Sequence, residues 1–91
     1  MTDSPKNSKQ YIEAGRFKIL MKYAVIVEKG ESSFGAYVPD LPGCVAVSEN
    51  RAEVLQIIKE AIEFHIEGLH ESGEVVPEPS LSVEYIQVLA A

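Results

Sequence analysis

Residues 34–73 read FGAYVPDLPGCVAVSENRAEVLQIIKEAIEFHIEGLHESG, and the order of signals in this stretch decides the fold. Phe34, Ala36 and Val38 alternate along the chain, which puts them on one face of a strand. Pro39 has no amide proton to give a central ladder and ends that strand. Pro39-Asp40-Leu41-Pro42-Gly43 is a rigid turn. Two prolines fix φ, Asp40 supplies a local acceptor, and Gly43 supplies a conformation other residues avoid. Cys44–Val47 is a short third strand. Asn50 lies three residues before Glu53, the spacing of a capping box, so a helix starts there. It runs to about Ser72, where Gly73 is the expected left-handed terminator.

Working outward, Lys22–Glu28 reads as the first strand, with Tyr23, Ala24, Val25, Ile26 and Val27 as an unbroken apolar run. Such a run implies that both faces of the strand are covered. The polar segment 29–33, with Gly30, is a hairpin loop. On the far side Pro77 and Pro79 stiffen the chain, and Leu81–Val88 reads as a last strand, with Leu81, Val83 and Tyr85 on one face. Residues 1–20 hold no period for long and suggest a loose arm, in which Tyr11, Ile12, Phe17, Ile19 and Leu20 offer docking contacts.

The predicted order is β-β-β-α-β, a small α/β (α+β) domain over residues 21–91 preceded by an arm over 1–20. The helix is a crossover connection, right-handed by rule, giving a mixed twisted sheet with one helix on one face. The other sheet face then lacks a cover, and a second copy of the chain is the simplest candidate. The helix points the same way. Its apolar positions span an arc of roughly 200°, against roughly 100° for a single core contact. Ile57 and Phe64, one heptad apart at the edge of that arc, are the expected oligomer contacts, the alternative being a cover formed by the arm before Met21. A homodimer or larger assembly is expected.

A chain of 91 residues accommodates one core. The net charge is −6 and the pI about 4.8. From residue 21 onward the cations are Lys22, Lys29, Arg51 and Lys59, against 12 carboxylates. Phosphate recognition needs clustered cations, so nucleic acid is not the expected partner; a basic protein is. Cys44 is the single cysteine, which fits a reducing compartment. No apolar run approaches a membrane span and no signal-peptide core is visible, so the cytoplasm is the expected location.

No chemistry assembles from the pattern, and neither a metal nor another cofactor is expected. Cys44, His65 and His70 point in different directions: His65 lies in the apolar arc of the helix and His70 on its polar face. Cys44 reads as a small buried hydrophobe. Glu60, Glu63, Glu67 and Glu71 share the polar face of the helix with Glu53, and Lys59 offsets part of that charge. The partner-binding candidates are Glu28, Glu31 and Asp40 near the strand ends, and Glu63 and Glu67 on the helix.

The runs MKYAVIVEKG, FGAYVPDLPGC, IKEAIEFHIEGLHESGE and VPEPS together resemble the HicB antitoxin family across residues 21–88. The PDLPGC segment before the helix, paired with VPEPS after it, carries most of the specificity. The resemblance implies a degraded ribonuclease H-like fold and a protein that is not an enzyme. It also implies a partner, a HicA-like toxin: a small basic ribonuclease that cleaves messenger RNA and is silenced by occlusion. The competing reading is an orphan HicB-like homo-oligomeric module with no toxin. A nuclease of this fold needs carboxylates converging on adjacent central strands, and Glu28, Asp40 and Glu84 do not supply that cluster. Three features depart from the family pattern. His65 stands where an apolar or aromatic residue is expected, residues 1–20 lie outside the resemblance, and the sequence stops at Ala91 without the DNA-binding segment many HicB antitoxins carry.

Overall fold

The computed structural model describes residues 10–13 and 15–91. The elements are β1 (Gln10–Glu13), β2 (Arg16–Ile19), β3 (Ile26–Lys29), β4 (Phe34–Tyr37), β5 (Val45–Ser48) and α1 (Arg51–Glu71). Strands β3, β4 and β5 form one antiparallel sheet in that order, and β1 and β2 form a separate two-stranded hairpin. The fold is α+β, a three-stranded sheet with one helix packed on it.

The register explains which side chains meet. Tyr37 lies opposite Val45 and Ile26, Ala36 opposite Ala46 and Val27, and Phe34 opposite Ser48 and Lys29. Because side chains alternate along a strand, Val27, Phe34, Ala36, Ala46 and Ser48 share the face that carries the helix. There Ala36 and Ala46 are buried with Val38, Leu41, Cys44, Val54 and Ile58, and Tyr23, Val25, Phe34, Ala61, Ile62 and Ile66 pack around them. Small residues on the sheet let the helix approach closely, and Val54 and Ile58, one turn apart, fill the space.

The turn before the helix is part of this core. Leu41 is fully buried, and its amide donates to the Val38 carbonyl at 3.0 Å while its carbonyl accepts from Cys44 at 3.1 Å. Gly43 sits at φ +89, a conformation a side chain would strain. Cys44 is buried as expected, and burial pushes its thiol pKa up.

The helix begins at the predicted cap. Asn50 is extended, and its side chain accepts from the Glu53 amide at 2.6 Å. The return contact differs from a standard capping box. The Glu53 carboxylate is taken by the Ser48 hydroxyl, and the Asn50 amide turns to the Ser48 oxygen at 3.5 Å. At the far end Ser72 caps the helix and Gly73 adopts φ +75, as the glycine there predicts.

Two expectations are corrected. The sheet is antiparallel rather than mixed, because residues 81–88 join no ladder and residues 74–91 contain no helix or strand. Alternating apolar residues make a segment competent to be a strand but do not supply the neighbour whose backbone must pair with it. The first strand is shorter than Lys22–Glu28 and starts at Ile26, opposite Tyr37. Beyond Tyr37 the partner strand turns away through Pro39, so residues 22–25 pass the end of the ladder. Within the arm expected over residues 1–20, β1 and β2 pair as a hairpin, with Gln10 opposite Ile19 and Glu13 opposite Arg16. Gly15, at φ +76, makes its turn. Residues 1–9 and 14 of that predicted arm lie outside the described residues.

Candidate functional site

On the sheet–helix body, two surfaces expose apolar side chains among the described residues. The first is the helix-free face of the sheet, where Ile26, Tyr37, Val45 and Val47 come together by register. Val45 and Val47 are the outward members of β5, whose even partners Ala46 and Ser48 are buried. Val47 is 69% exposed. The expectation of an apolar sheet face without a helix therefore holds.

The second is the outer edge of α1. With 3.6 residues per turn, Ile57 and Phe64 fall side by side, rotated away from the Val54–Ile58 seam. Phe64 is 80% exposed, and Ile57 is exposed as well. Glu53, Glu60, Glu67 and Glu71 lie on the adjoining arc, so the phenyl ring stands beside a row of carboxylates. Glu63 lies farther round and forms an i,i+4 ion pair with Lys59 at 3.1 Å. Gln56 similarly donates to Glu60 at 3.0 Å. Both contacts are solvent-exposed and contribute little to stability.

The predicted acidic residues do not form one cluster. Glu28 is exposed on β3, Glu31 is exposed in the following loop, and Glu63 and Glu67 are exposed on the helix. Asp40 has a different task. Its two carboxylate oxygens accept from the Ser80 amide at 2.9 Å and the Ser80 hydroxyl at 2.7 Å. The Ser80 amide, then its hydroxyl, hold the Asp40 carboxyl below the usual carboxylate range. Nearby, the Tyr23 hydroxyl donates to the Pro77 carbonyl. Desolvation, and then the charges of Asp40 and Glu78, raise the Tyr23 pKa. These contacts clasp residues 77–80 to the end of the sheet. They span 40 and 54 positions in sequence, and no local pattern announces them.

His65 is half-buried against the sheet side of the helix and His70 is exposed. Among the described residues no three His, Cys, Asp or Glu side chains gather into a metal-binding group. Among them, too, no helix is long and apolar enough to cross a membrane. What the arrangement offers is contact: apolar patches, one of them edged by carboxylates.

The model of the HicB-like antitoxin of bacterial toxin–antitoxin systems matches residues 23–89. The chain belongs to the HicB-like antitoxin family. A UPF0150 protein of Synechocystis is 34% identical over 73 residues, covering 79% of this chain and 92% of that protein. A UPF0150 protein of Thermoplasma acidophilum is 43% identical over 58 residues, covering 63% of this chain and 84% of that one. An uncharacterized 14.9 kDa protein in the rep-hol intergenic region of Haemophilus phage HP1 is 38% identical over 66 residues, 72% of this chain. The HicB-like chain spans half the length of that phage relative. Family membership supports an antitoxin role in general.

Proposed function

We propose that this chain binds a HicA-type, mRNA-cleaving toxin and neutralises it by occlusion. Family membership supports the antitoxin role. The observation that supports the mode of binding is the outer edge of α1, where exposed Ile57 and Phe64 stand beside carboxylates. A ribonuclease surface that grips RNA is basic, and an acidic surface with an apolar anchor complements it in both respects. The scaffold, on this reading, is a ribonuclease H-like domain used for binding, and its place of action is the cytoplasm, where messenger RNA is translated.

The partner contacts on this reading are Glu63 and Glu67 on the helix, with Glu28 and Glu31 at the end of β3. Asp40 is left to its clasp on Ser80. Ile57 and Phe64, expected from the sequence to join two copies, are better suited to the toxin: two copies meeting there would oppose like-charged rows. Self-association then falls to the helix-free sheet face, with Tyr37, Val45 and Val47 available for it. That exposed face is also what favours the second reading, an orphan homo-oligomeric module without a toxin.

Mixing the chain with the basic product of a neighbouring gene tests the proposal. The expected result is co-purification and loss of ribonuclease activity. Phe64→Glu should shorten the lifetime of the complex, and reversing Glu63 and Glu67 together to Lys should slow association and flatten its salt dependence. A neighbour that neither co-purifies nor loses activity overturns the antitoxin reading in favour of the orphan module.

A further inference from the structure

Two features of the chain lack partners, and each supplies what the other needs. Tyr23–Val27 is a continuous half-buried apolar run, the pattern of a strand flanked on both sides. Yet β3 pairs only with β4, and among the described residues no strand occupies its other edge. An edge of that kind is a ready template for another strand. Residues 81–88 are the converse. Leu81, Val83 and Tyr85 alternate as a strand does, Ile86 and Val88 continue on the opposite side, and all are exposed, Tyr85 to 94%. The segment has the composition of a strand and no sheet.

We propose that residues 81–88 of one chain pair along the free edge of β3 in a second copy, so that two chains exchange their C-terminal strands. The proposal rests on the reading that the chain self-associates, and it places the contact at the edge of β3 instead of on the helix-free face. Three observations favour a second copy as the occupant. The Asp40–Ser80 and Tyr23–Pro77 contacts fix the start of the segment at the end of the sheet, while the residues after it leave their own body exposed. Pro77 and Pro79 stiffen the connection, and a short stiff connection favours exchange over folding back. The charges also match. Glu84 is the one charged residue in 81–91, and the β3 run is bracketed by exposed Lys22 and Lys29. With Glu28 beside Lys29 the edge carries only a small net positive charge, which suits a segment with a lone carboxylate. Mutual exchange is isologous and closes at two chains, because each copy gives a strand and receives one.

The test uses the full chain. In a strand, adjacent amides point to opposite edges, so Tyr85→Pro and Ile86→Pro together cover both directions in which a ladder hydrogen bond can form. Both residues are exposed within their own chain, so neither change disturbs the helix–sheet core. Sedimentation should show a dimer for the unmodified chain. At least one proline variant should weaken dimerisation about tenfold or more, the cost of one buried hydrogen bond lost, with the helical circular dichroism signal retained. In an equimolar mixture of differently labelled chains, NMR should show contacts between residues 81–88 of one chain and 22–29 of the other. A dimer unaffected by both prolines and lacking those contacts overturns strand exchange and leaves self-association to the helix-free face. A monomer at micromolar concentration overturns both.

Discussion

Leu41 and Leu89 are the same side chain in opposite circumstances. Leu41 lies in a turn between two prolines and is wholly buried, whereas Leu89 lies in a strand-like apolar segment and is wholly exposed. Apolar character alone assigned neither environment. Leu41 is buried because the Pro39–Gly43 turn folds back on the sheet and its backbone is satisfied locally by Val38 and Cys44. That closure leaves the leucine pointing into the space between sheet and helix. Leu89 has no equivalent: residues 85–89 stand exposed beyond the point where Asp40 and Tyr23 tie the chain to the sheet. The first region is completed within the chain, and the second, on the strand exchange proposed above, by another.

The largest expected effect follows directly. Leu41→Ala removes a fully buried side chain from a packed site and should cost about 2–5 kcal/mol. Much of the stability of a small domain would go with it, since the total is on the order of 5–15 kcal/mol. Leu89→Ala should change the stability of the isolated protomer by less than about 0.5 kcal/mol. Urea denaturation at low protein concentration measures both. Equal losses at the two leucines would break the comparison.

A smaller effect tests how the completed region is punctuated. Asn50→Ala removes the acceptor of the Glu53 amide and should cost about 1 kcal/mol. Ser48→Ala should add a loss of its own, because Ser48 holds both the Glu53 carboxylate and the Asn50 amide. If these two groups act as one network, the double variant will lose less than the two single losses combined. Strict additivity in the denaturation midpoints would show that the cap and the Ser48 contact act separately.

The parts of the fold that were legible in the sequence are those set by local chemistry. Asn50, Glu53 and Gly73 bracket the helix within a residue or so, because capping depends on neighbours three or four positions away. Phe34–Tyr37 and Val45–Ser48 follow from alternation and from proline and glycine punctuation. The hairpin at 10–19 was missed because its only strong signal is Gly15, with no clean alternation around it. The candidate surfaces were half legible. The sequence singled out Ile57 and Phe64 by their angle on the helix, and it required an uncovered sheet face. It could not show that Glu63 pairs with Lys59, or that Asp40 is committed to Ser80. The Asp40 contact depends on where residue 80 passes in space. The fate of 81–88 was least accessible of all, because a strand pattern records a capacity to pair and not the partner.

The smallest expected effect concerns the clasp where the two regions meet, and its pH dependence has a definite sign at each end. The Asp40 carboxyl is held below its ordinary range by Ser80, so the folded state favours the carboxylate. Its contribution is present above the unfolded pKa and is lost as pH falls through the folded one. The Tyr23 pKa is raised, chiefly by desolvation, so the folded state favours the neutral phenol that donates to Pro77. That contribution is present below the unfolded pKa and is lost as pH rises through the folded value. The clasp should therefore be intact across the neutral range and loosen at both extremes, on the acid side through Asp40 and on the alkaline side through Tyr23. The Ser80 amide reports it: its NMR shift and hydrogen-exchange protection should change at both limits while amides of α1 such as Ile58 stay protected. Asp40→Asn should abolish the acid limb and leave the alkaline one, and Tyr23→Phe should do the reverse. A single transition shared by Ser80 and Ile58 would mean that the clasp has no equilibrium of its own and opens only when the whole domain unfolds.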